Sequence, residues 1–251
     1  MNKLALITGG SRGIGQHSAQ ALAQEGVDII ITYHSQADAA SDVVNRLKAL
    51  GVNAAALSLD TSKTDTFPNF VARLKHELNT TFNRASIDYL FNNAGTGLHS
   101  MITDSTEADF DEMYQLHLKG PFFLTQALYP MINEGGSILN ISSGLARFSL
   151  PGSASYAIMK GGVEVMSRYM AKEFSDRSIT VNTLAPGAIA TDFRGGAVRD
   201  NPEMNKMVAS FTALGRVGLP EDIGRVVAQL LNEKSHWMTG QRIEASGGMF
   251  L

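Results

Sequence analysis

Residues 4–24 read LALITGGSRGIGQHSAQALAQ. A short apolar run, Leu4–Thr8, enters a glycine-rich turn, and Ile14–Gln24 then carries Ala19, Leu22 and Ala23 on one side of a helix. The glycines at 9, 10, 13 and 15 let the chain turn sharply and approach a ligand with no Cβ in the way. The helix that follows offers unpaired N–H groups to an anion. A strand feeding such a turn into a helix is the phosphate-cradling unit of a dinucleotide fold. The Lys–Ser/Thr ending of a Walker A loop is missing. Outward from this unit the alternation repeats. Further strands are predicted at 27–33, 53–59, 87–92, 136–142, 179–185 and 242–245. Helices are predicted at 38–50, 64–78, 156–174 and 221–231, with two helical stretches in 107–131 joined near Gly120 and Pro121. Apolar strands between amphipathic helices predict an α/β protein, a doubly wound, mostly parallel sheet with helices on both faces and right-handed crossovers.

The length, 251 residues, suits one large domain, and no linker rich in Gly, Pro or Ser divides it. The irregular piece is 188–218, which holds Gly195–Gly196 and the run NPEMNKMVASFTAL. It reads as a lid or substrate loop, the plainer alternative being a surface excursion with a packing helix. A net charge of -3 without a long basic stretch does not suggest a nucleic-acid partner. The absence of cysteine excludes disulfides, a thiolate nucleophile and cysteine-ligated metal sites. The six histidines, at 17, 34, 76, 99, 117 and 236, form no HxH or HExxH pattern, so no metal is expected. No apolar run reaches membrane-span length and no cleavage pattern follows a basic start, which predicts a cytoplasmic protein.

Within the nucleotide turn the candidate cofactor contacts are Gly9, Ser11, Arg12, Gly13, Ile14 and Gly15. The second strand ends in Tyr33, His34 and Ser35. No carboxylate stands there to accept from an adenosine ribose, since Asp28 lies at the strand start and Asp38 well past its end. Arg12, with Ser35 or a protonated His34, favours a 2′-phosphate instead, so NADP(H) is expected over NAD(H). The alternative is that Arg12 faces solvent and selectivity is loose. Asp60 follows the third strand and either accepts from an adenine amine or caps the next helix. Asn92, Asn93, Ala94 and Gly95 close the fourth strand, where asparagines can bridge strand ends and Gly95 leaves room for a dinucleotide.

The run ISSGLARFSLPGSASYAIMKGG carries Ser143, Tyr156 and Lys160. Tyrosine and lysine four apart share a helix face. An ammonium near a phenol favours the phenolate and lowers its pKa, and a serine hydroxyl can bond the reacting oxygen. Such a set moves a proton to or from a carbonyl/alcohol oxygen, although the same spacing occurs on ordinary helices.

TGGSRGIG at 8–15, NNAG at 92–95, Ser143, YAIMK at 156–160 and APG at 185–187 resemble the classical short-chain dehydrogenase/reductase family across essentially the whole chain. The closest look is of its 3-oxoacyl carrier-protein reductase-like and glucose dehydrogenase-like branch. GRVGLPEDIG at 215–224 and TGQRIEASGG at 239–248 are similar to the family's C-terminal region. The resemblance implies a single Rossmann-type domain with a seven-stranded parallel sheet, and a homotetramer or a homodimer. It implies hydride transfer between a nicotinamide and a carbonyl/secondary alcohol pair, with Tyr156 as general acid/base, Lys160 lowering its pKa and holding the nicotinamide ribose, and Ser143 holding the substrate oxygen. It also implies that Gly9, Arg12, Ile14, Asp60, Asn92, Gly95, Pro186, Gly187, Ile189 and Thr191 line the cofactor. One position departs from the pattern. The family's asparagine in the helix after the fourth strand, which supports a proton relay, is matched here by His117 in HLKG. Histidine is larger and titrates near neutral pH. It either takes part in the relay or weakens it, and the rival reading is a nucleotide-binding regulator or scaffold with weak or lost catalysis. Leu98, His99, Arg147, Phe148, Leu150, Pro151 and Phe193 flank the catalytic segments as candidate substrate contacts, Arg147 meeting an acidic substrate or forming a surface ion pair.

Overall fold

The computed structural model describes residues 2–232 and 237–251, so His236 lies outside the described residues. The chain opens with β1 (Leu4–Ile7), α1 (Gly13–Gln24), β2 (Asp28–Tyr33), α2 (Ala37–Ala49), β3 (Ala54–Ser58), α3 (Phe67–Phe82) and β4 (Ile87–Asn92). It continues with α4 (Glu107–Tyr114), α5 (Gly120–Leu128), β5 (Ile132–Ile141), α6 (Ala154–Glu173) and β6 (Thr180–Pro186). It ends with α7 (Ala197–Asp200), α8 (Pro202–Ser210), α9 (Pro220–Leu231) and β7 (Arg242–Ala245). The seven strands form one sheet in the order β3-β2-β1-β4-β5-β6-β7, every pair parallel.

The inner strands β1, β2 and β4 are buried on both faces, which is why they read as apolar runs and not as alternation. On one face, Phe70, Leu74 and Leu78 of α3, Leu124 and Leu128 of α5, and Val163, Met166 and Met170 of α6 pack on the sheet. On the other, Leu22 of α1, Val43 and Leu47 of α2, and Val227 and Leu231 of α9 do the same. The sheet is thus the middle of three layers, the doubly wound Rossmann-like arrangement the alternation predicts.

Two boundaries differ from the sequence-based expectation. The third helix runs on to Phe82, because Phe82 is buried with Leu78, and it stops at Asn83, which takes the left-handed conformation at φ 50°. The fifth strand starts at Ile132, ahead of its glycines; Gly135 has φ +67°, and the pairing with β4 shifts register between Ile87 and Tyr89. As expected, two helical stretches meet near Gly120 and Pro121. Gln115–Lys119 forms a single π turn that joins α4 to α5, with the Gly120 N–H donating to the Gln115 carbonyl. A widened turn accommodates a proline, which lacks its own N–H and crowds the preceding turn. The π turn bears His117, which is buried.

The N-terminal end of the sheet is tied by one carboxylate. Asp88 accepts from the Leu4 N–H at 2.9 Å, Arg84 at 2.8 Å, Asn133 at 2.9 Å and Lys3 at 3.2 Å. Burial opposes its charge, but the bonds from Asn133, Leu4 and Arg84 outweigh that and hold its pKa below the ordinary value.

Candidate active site

Strand order reverses between β1 and β4, and the carboxyl ends of the strands there open onto a cleft of about 930 Å³. Its nucleotide wall comprises Gly9, Ser11, Arg12, Gly13 and Ile14 after β1, Tyr33, His34 and Ser35 after β2, and Asp60 after β3. Ala94 and Gly95 after β4, and Pro186, Gly187, Ile189 and Thr191 after β6, complete it. Two predicted cofactor contacts do not line the cleft. A Cβ on Gly15 would lie 2.4 Å from the Gly9 carbonyl oxygen and 2.6 Å from Asn93 Nδ2, so this glycine lets α1 pack on the turn. Asn92 is buried, donating to Asn140 Oδ1 at 2.8 Å and Thr125 Oγ1 at 3.0 Å across neighbouring elements. Asn93 holds the turn from beside it, donating to the carbonyls of Thr8 at 2.9 Å and Gly9 at 3.2 Å. Gly9 has φ +65°, and a Cβ there would meet the Ala94 backbone at 2.9 Å.

The wall fits a dinucleotide. The first turn of α1 has no side-chain cap and no acidic residue, so its free N–H groups and the positive end of its dipole face the cleft. Asp28 is turned away at the far end of β2, accepting from the Asn53 N–H at 2.8 Å. Asp60 caps no helix. It accepts from the Ser62 N–H at 2.9 Å and the Ser62 hydroxyl at 2.6 Å, and His34 Nε2 lies 3.6 Å from it. Arg12 is largely exposed at the rim, 3.7 Å from Asp192.

The catalytic candidates converge on the cleft floor. Ser143 follows β5 in extended conformation, its hydroxyl accepts from the Leu145 N–H at 3.2 Å, and its nearness to Tyr156 favours the phenolate. Tyr156 and Lys160 are both buried on one face of α6, with Lys160 Nζ 5.4 Å from the tyrosine ring centroid and donating to the Ile141 carbonyl at 2.9 Å. The expected lowering of the tyrosine pKa is not found. Burial pushes Tyr156 up to about 12, against opposing effects from Arg194 and Ser143, and burial pulls Lys160 down to about 7. Desolvation therefore outweighs the attraction that sequence spacing alone suggests.

His117 also departs from its expected titration near neutrality. Burial first, and then Lys160, depress its pKa well below the ordinary value, so the imidazole is neutral. Its Nε2 lies 2.8 Å from the Thr96 carbonyl, which only accepts, so Nε2 carries the proton. Nδ1 is then a buried acceptor with no partner among the described residues. The imidazole stands edge-on to Tyr156, ring centroids 5.0 Å apart, in space left by Gly95, where a Cβ would come within 2.7 Å of it.

Beyond Tyr156 the cleft becomes apolar. Leu145, Phe148, Leu150, Phe193, Met204, Met207, Val208, Phe211 and Met249 line it, and Phe250 stacks between Phe148 at 4.7 Å and Phe211 at 4.8 Å. Of the predicted substrate contacts, His99, Phe148, Leu150 and Phe193 reach the cleft, while Leu98, Arg147 and Pro151 do not line it. Arg147 makes the ion pair, donating to both Glu244 carboxylate oxygens at 2.8 Å and to the Met249 carbonyl at 2.8 Å.

A family model described as enoyl-(acyl carrier protein) reductase matches residues 9–250. The chain belongs to the short-chain dehydrogenase/reductase family. As a member it is an NAD(P)-dependent oxidoreductase. A hydroxynaphthalene reductase-like protein, Arp2, of Metarhizium brunneum is 36% identical, covering 98% of this chain and 94% of its own. Among solved structures, the promiscuous reductase LugOII, which catalyses keto-reduction at C1 during lugdunomycin biosynthesis, superposes with a TM-score of 0.93 at 36% identity, covering 98% of this chain and 96% of its own. The angucycline C-6 ketoreductase LanV, solved with bound NADP, also gives a TM-score of 0.93, at 33% identity over 99% and 95% of the two chains.

Sequence reading of this dehydrogenase/reductase missed the methionines, Val208 and Phe211 of 188–218 and, with them, Arg194. The spacing of apolar residues in 202–211 was a usable signal, because α8 exposes Met207 although its amphipathic pattern is good enough to bury Val208. Nothing local marks Arg194. No helix among the described residues is long and apolar enough to cross a membrane.

Proposed function

We propose that this short-chain dehydrogenase/reductase reduces a bulky, flat aromatic ketone with NADPH, Tyr156 delivering the proton to the carbonyl oxygen. The observation that carries the reading is the meeting of Ser143, Tyr156 and Lys160 at the junction between a dinucleotide wall and a long apolar end of one cleft. The relatives reported above, a hydroxynaphthalene reductase-like protein, the keto-reducing LugOII and the angucycline ketoreductase LanV, support a ring-shaped substrate.

A bound nicotinamide supplies the hydride. The chain's residues do the rest. Ser143 holds the carbonyl oxygen and stabilises charge as it grows there. Tyr156 stays protonated below about pH 12 and is thus ready as the acid. Lys160 is placed for the ribose and, being near 7, gains and loses its proton close to neutrality. His117 is a positioning residue whose neutral ring braces Tyr156. Gly9, Ser11, Arg12, Gly13, Ile14, Ala94, Gly95, Pro186, Gly187, Ile189 and Thr191 hold the dinucleotide. NADP(H) is preferred because no carboxylate stands at the end of β2, while Arg12, His34 and Ser35 surround the place of a 2′-phosphate. Residues 188–218, tied at their ends by the Ile189–Gly218 bridge, are a lid over the substrate.

The test is NADPH and NADH oxidation with 2-tetralone and with an acetoacetyl thioester. The expected result is kcat/KM for 2-tetralone above that for the thioester, and for NADPH above NADH, each by at least about tenfold. Tight NADPH binding with no oxidation across such ketones would favour the regulator reading instead.

The protein is a homotetramer in this reading. Phe110 and Tyr114 of α4, Phe122 and Phe123 of α5, and Ile158, Val165 and Tyr169 of α6 are exposed, an unusual load of apolar surface on three helices. Light scattering at micromolar concentration should give four times the chain mass; a monomer would refute the assignment.

A further inference from the structure

Arg194 stands within the cleft on the segment that follows β6. Its backbone is left-handed, φ 52° and ψ 43°, a conformation that a non-glycine residue adopts only at some cost, and Gly195 and Gly196 continue it at φ 67° and 79°. That bend turns the side chain inward. Gly97 makes room for it, since a Cβ there would lie 2.5 Å from Arg194 Cγ and 2.7 Å from the Phe193 ring. The guanidinium is then anchored through one nitrogen. Nη2 donates to the Leu98 carbonyl at 2.6 Å and to the Ser153 hydroxyl at 3.1 Å, one helical turn before the catalytic tyrosine.

A second nitrogen of the fork is left without a partner. Arg194 Nε is buried and meets no acceptor among the described residues, and no carboxylate there pairs with the group. This contrasts with Arg147, Arg199, Arg216 and Arg242, each of which has its carboxylate. The neighbouring Phe193 ring lies 5.7 Å from the Tyr156 ring, and the guanidinium charge acts on the Tyr156 hydroxyl. A half-buried guanidinium without a counter-charge is costly, and its fork geometry suits an oxygen anion. The apolar wall formed by Phe148, Val208 and Phe211 offers it no alternative acceptor.

We propose that Arg194 is a specificity-determining residue that binds an anionic oxygen of the substrate beside the reacting carbonyl, so that this enzyme favours ketones carrying a nearby carboxylate or ionised enol. The proposal rests on the ketone-reductase reading and narrows its substrate class. It assigns the cation to substrate and not to cofactor, because its anchors, Leu98 and Ser153, lie on the catalytic side of the cleft, away from the turn after β1.

The test is calorimetric binding of phenylglyoxylate and of its methyl ester to the protein saturated with NADP⁺, which holds the cofactor site filled without turnover. The two probes share the ketone and ring and differ in the anionic oxygen. The expected result is that Arg194→Gln weakens the acid at least about tenfold more than the ester, the size of a lost charge-assisted pair, and that Arg194→Lys recovers part of the difference. Equal weakening of both probes would reduce Arg194 to a strut of the lid and overturn the proposal, as would failure of the unaltered protein to bind the acid. Failure of the reductase reading shows separately, as absence of NADPH oxidation by the unaltered protein with any ketone offered.

Discussion

Tyr156→Phe should lower kcat/KM for ketone reduction by about 10²- to 10⁴-fold while leaving NADPH affinity nearly unchanged. The substitution removes one oxygen and keeps the ring. The ring is what packs, edge-on to His117 at 5.0 Å, against Phe193 at 5.7 Å and beside Lys160 Nζ at 5.4 Å. The fold therefore has no reason to change, and the loss reports on proton transfer. Stopped-flow single turnover with 2-tetralone separates the chemical step from binding, and a near wild-type rate would end the acid assignment for Tyr156. The sign of the pH dependence follows from the same group. Burial holds the phenol protonated up to about 12, so reduction draws on a form populated at every physiological pH. Alcohol oxidation needs the phenolate, and its rate should rise with pH through the alkaline range.

The second large effect lies at the other end of the sheet. Asp88→Ala should destabilise the protein by about 3–5 kcal/mol, because it strands the Arg84 guanidinium and leaves the Leu4 N–H and Asn133 amide without their acceptor. The Arg84 side chain is 9% exposed and the Asp88 side chain 5%, so water does not replace the lost carboxylate. Linkage gives a second readout. The folded pKa of Asp88 lies below the unfolded 3.8, so its stabilisation is fully present above the unfolded value and is lost as pH falls through the folded one. Urea unfolding from neutral pH down to about pH 3 should show a steep acid loss in the parent protein and a shallower one in Asp88→Ala, with Asp88→Asn keeping the shape but not the charge. Unchanged stability at neutral pH would show that the four bonds to Asp88 are individually replaceable.

Much of the architecture was legible because both signals it needs are local. Strands buried on two faces must be apolar throughout, and a glycine turn between strand and helix can be recognised without its neighbours. Errors clustered where tertiary contact overrides a local rule. The third helix read as ending at 78, yet Phe82, buried with Leu78, carries it further. Asn92 bridges strand ends as its position suggests, giving its amide to Asn140 and Thr125, and Gly15 leaves room for the packing of α1. Arg147 was open to an acidic substrate or to an ion pair, and Glu244, 97 residues away in sequence, makes the pair.

The sequence by itself determined the alternation of strands and helices and the glycine turn, because each depends on residue type within a few positions, while Ser143, Tyr156 and Lys160 were marked as a set by the resemblance to the family across the whole chain. Only the tertiary structure decided the ionisation of that set and the character of the substrate end. Desolvation is a property of everything packed around a group, so no spacing of tyrosine and lysine could reveal that burial drives one up to about 12 and the other down to about 7. The same holds for Arg194, whose significance arises from a left-handed bend, the space above Gly97 and a buried Nε that meets no acceptor among the described residues.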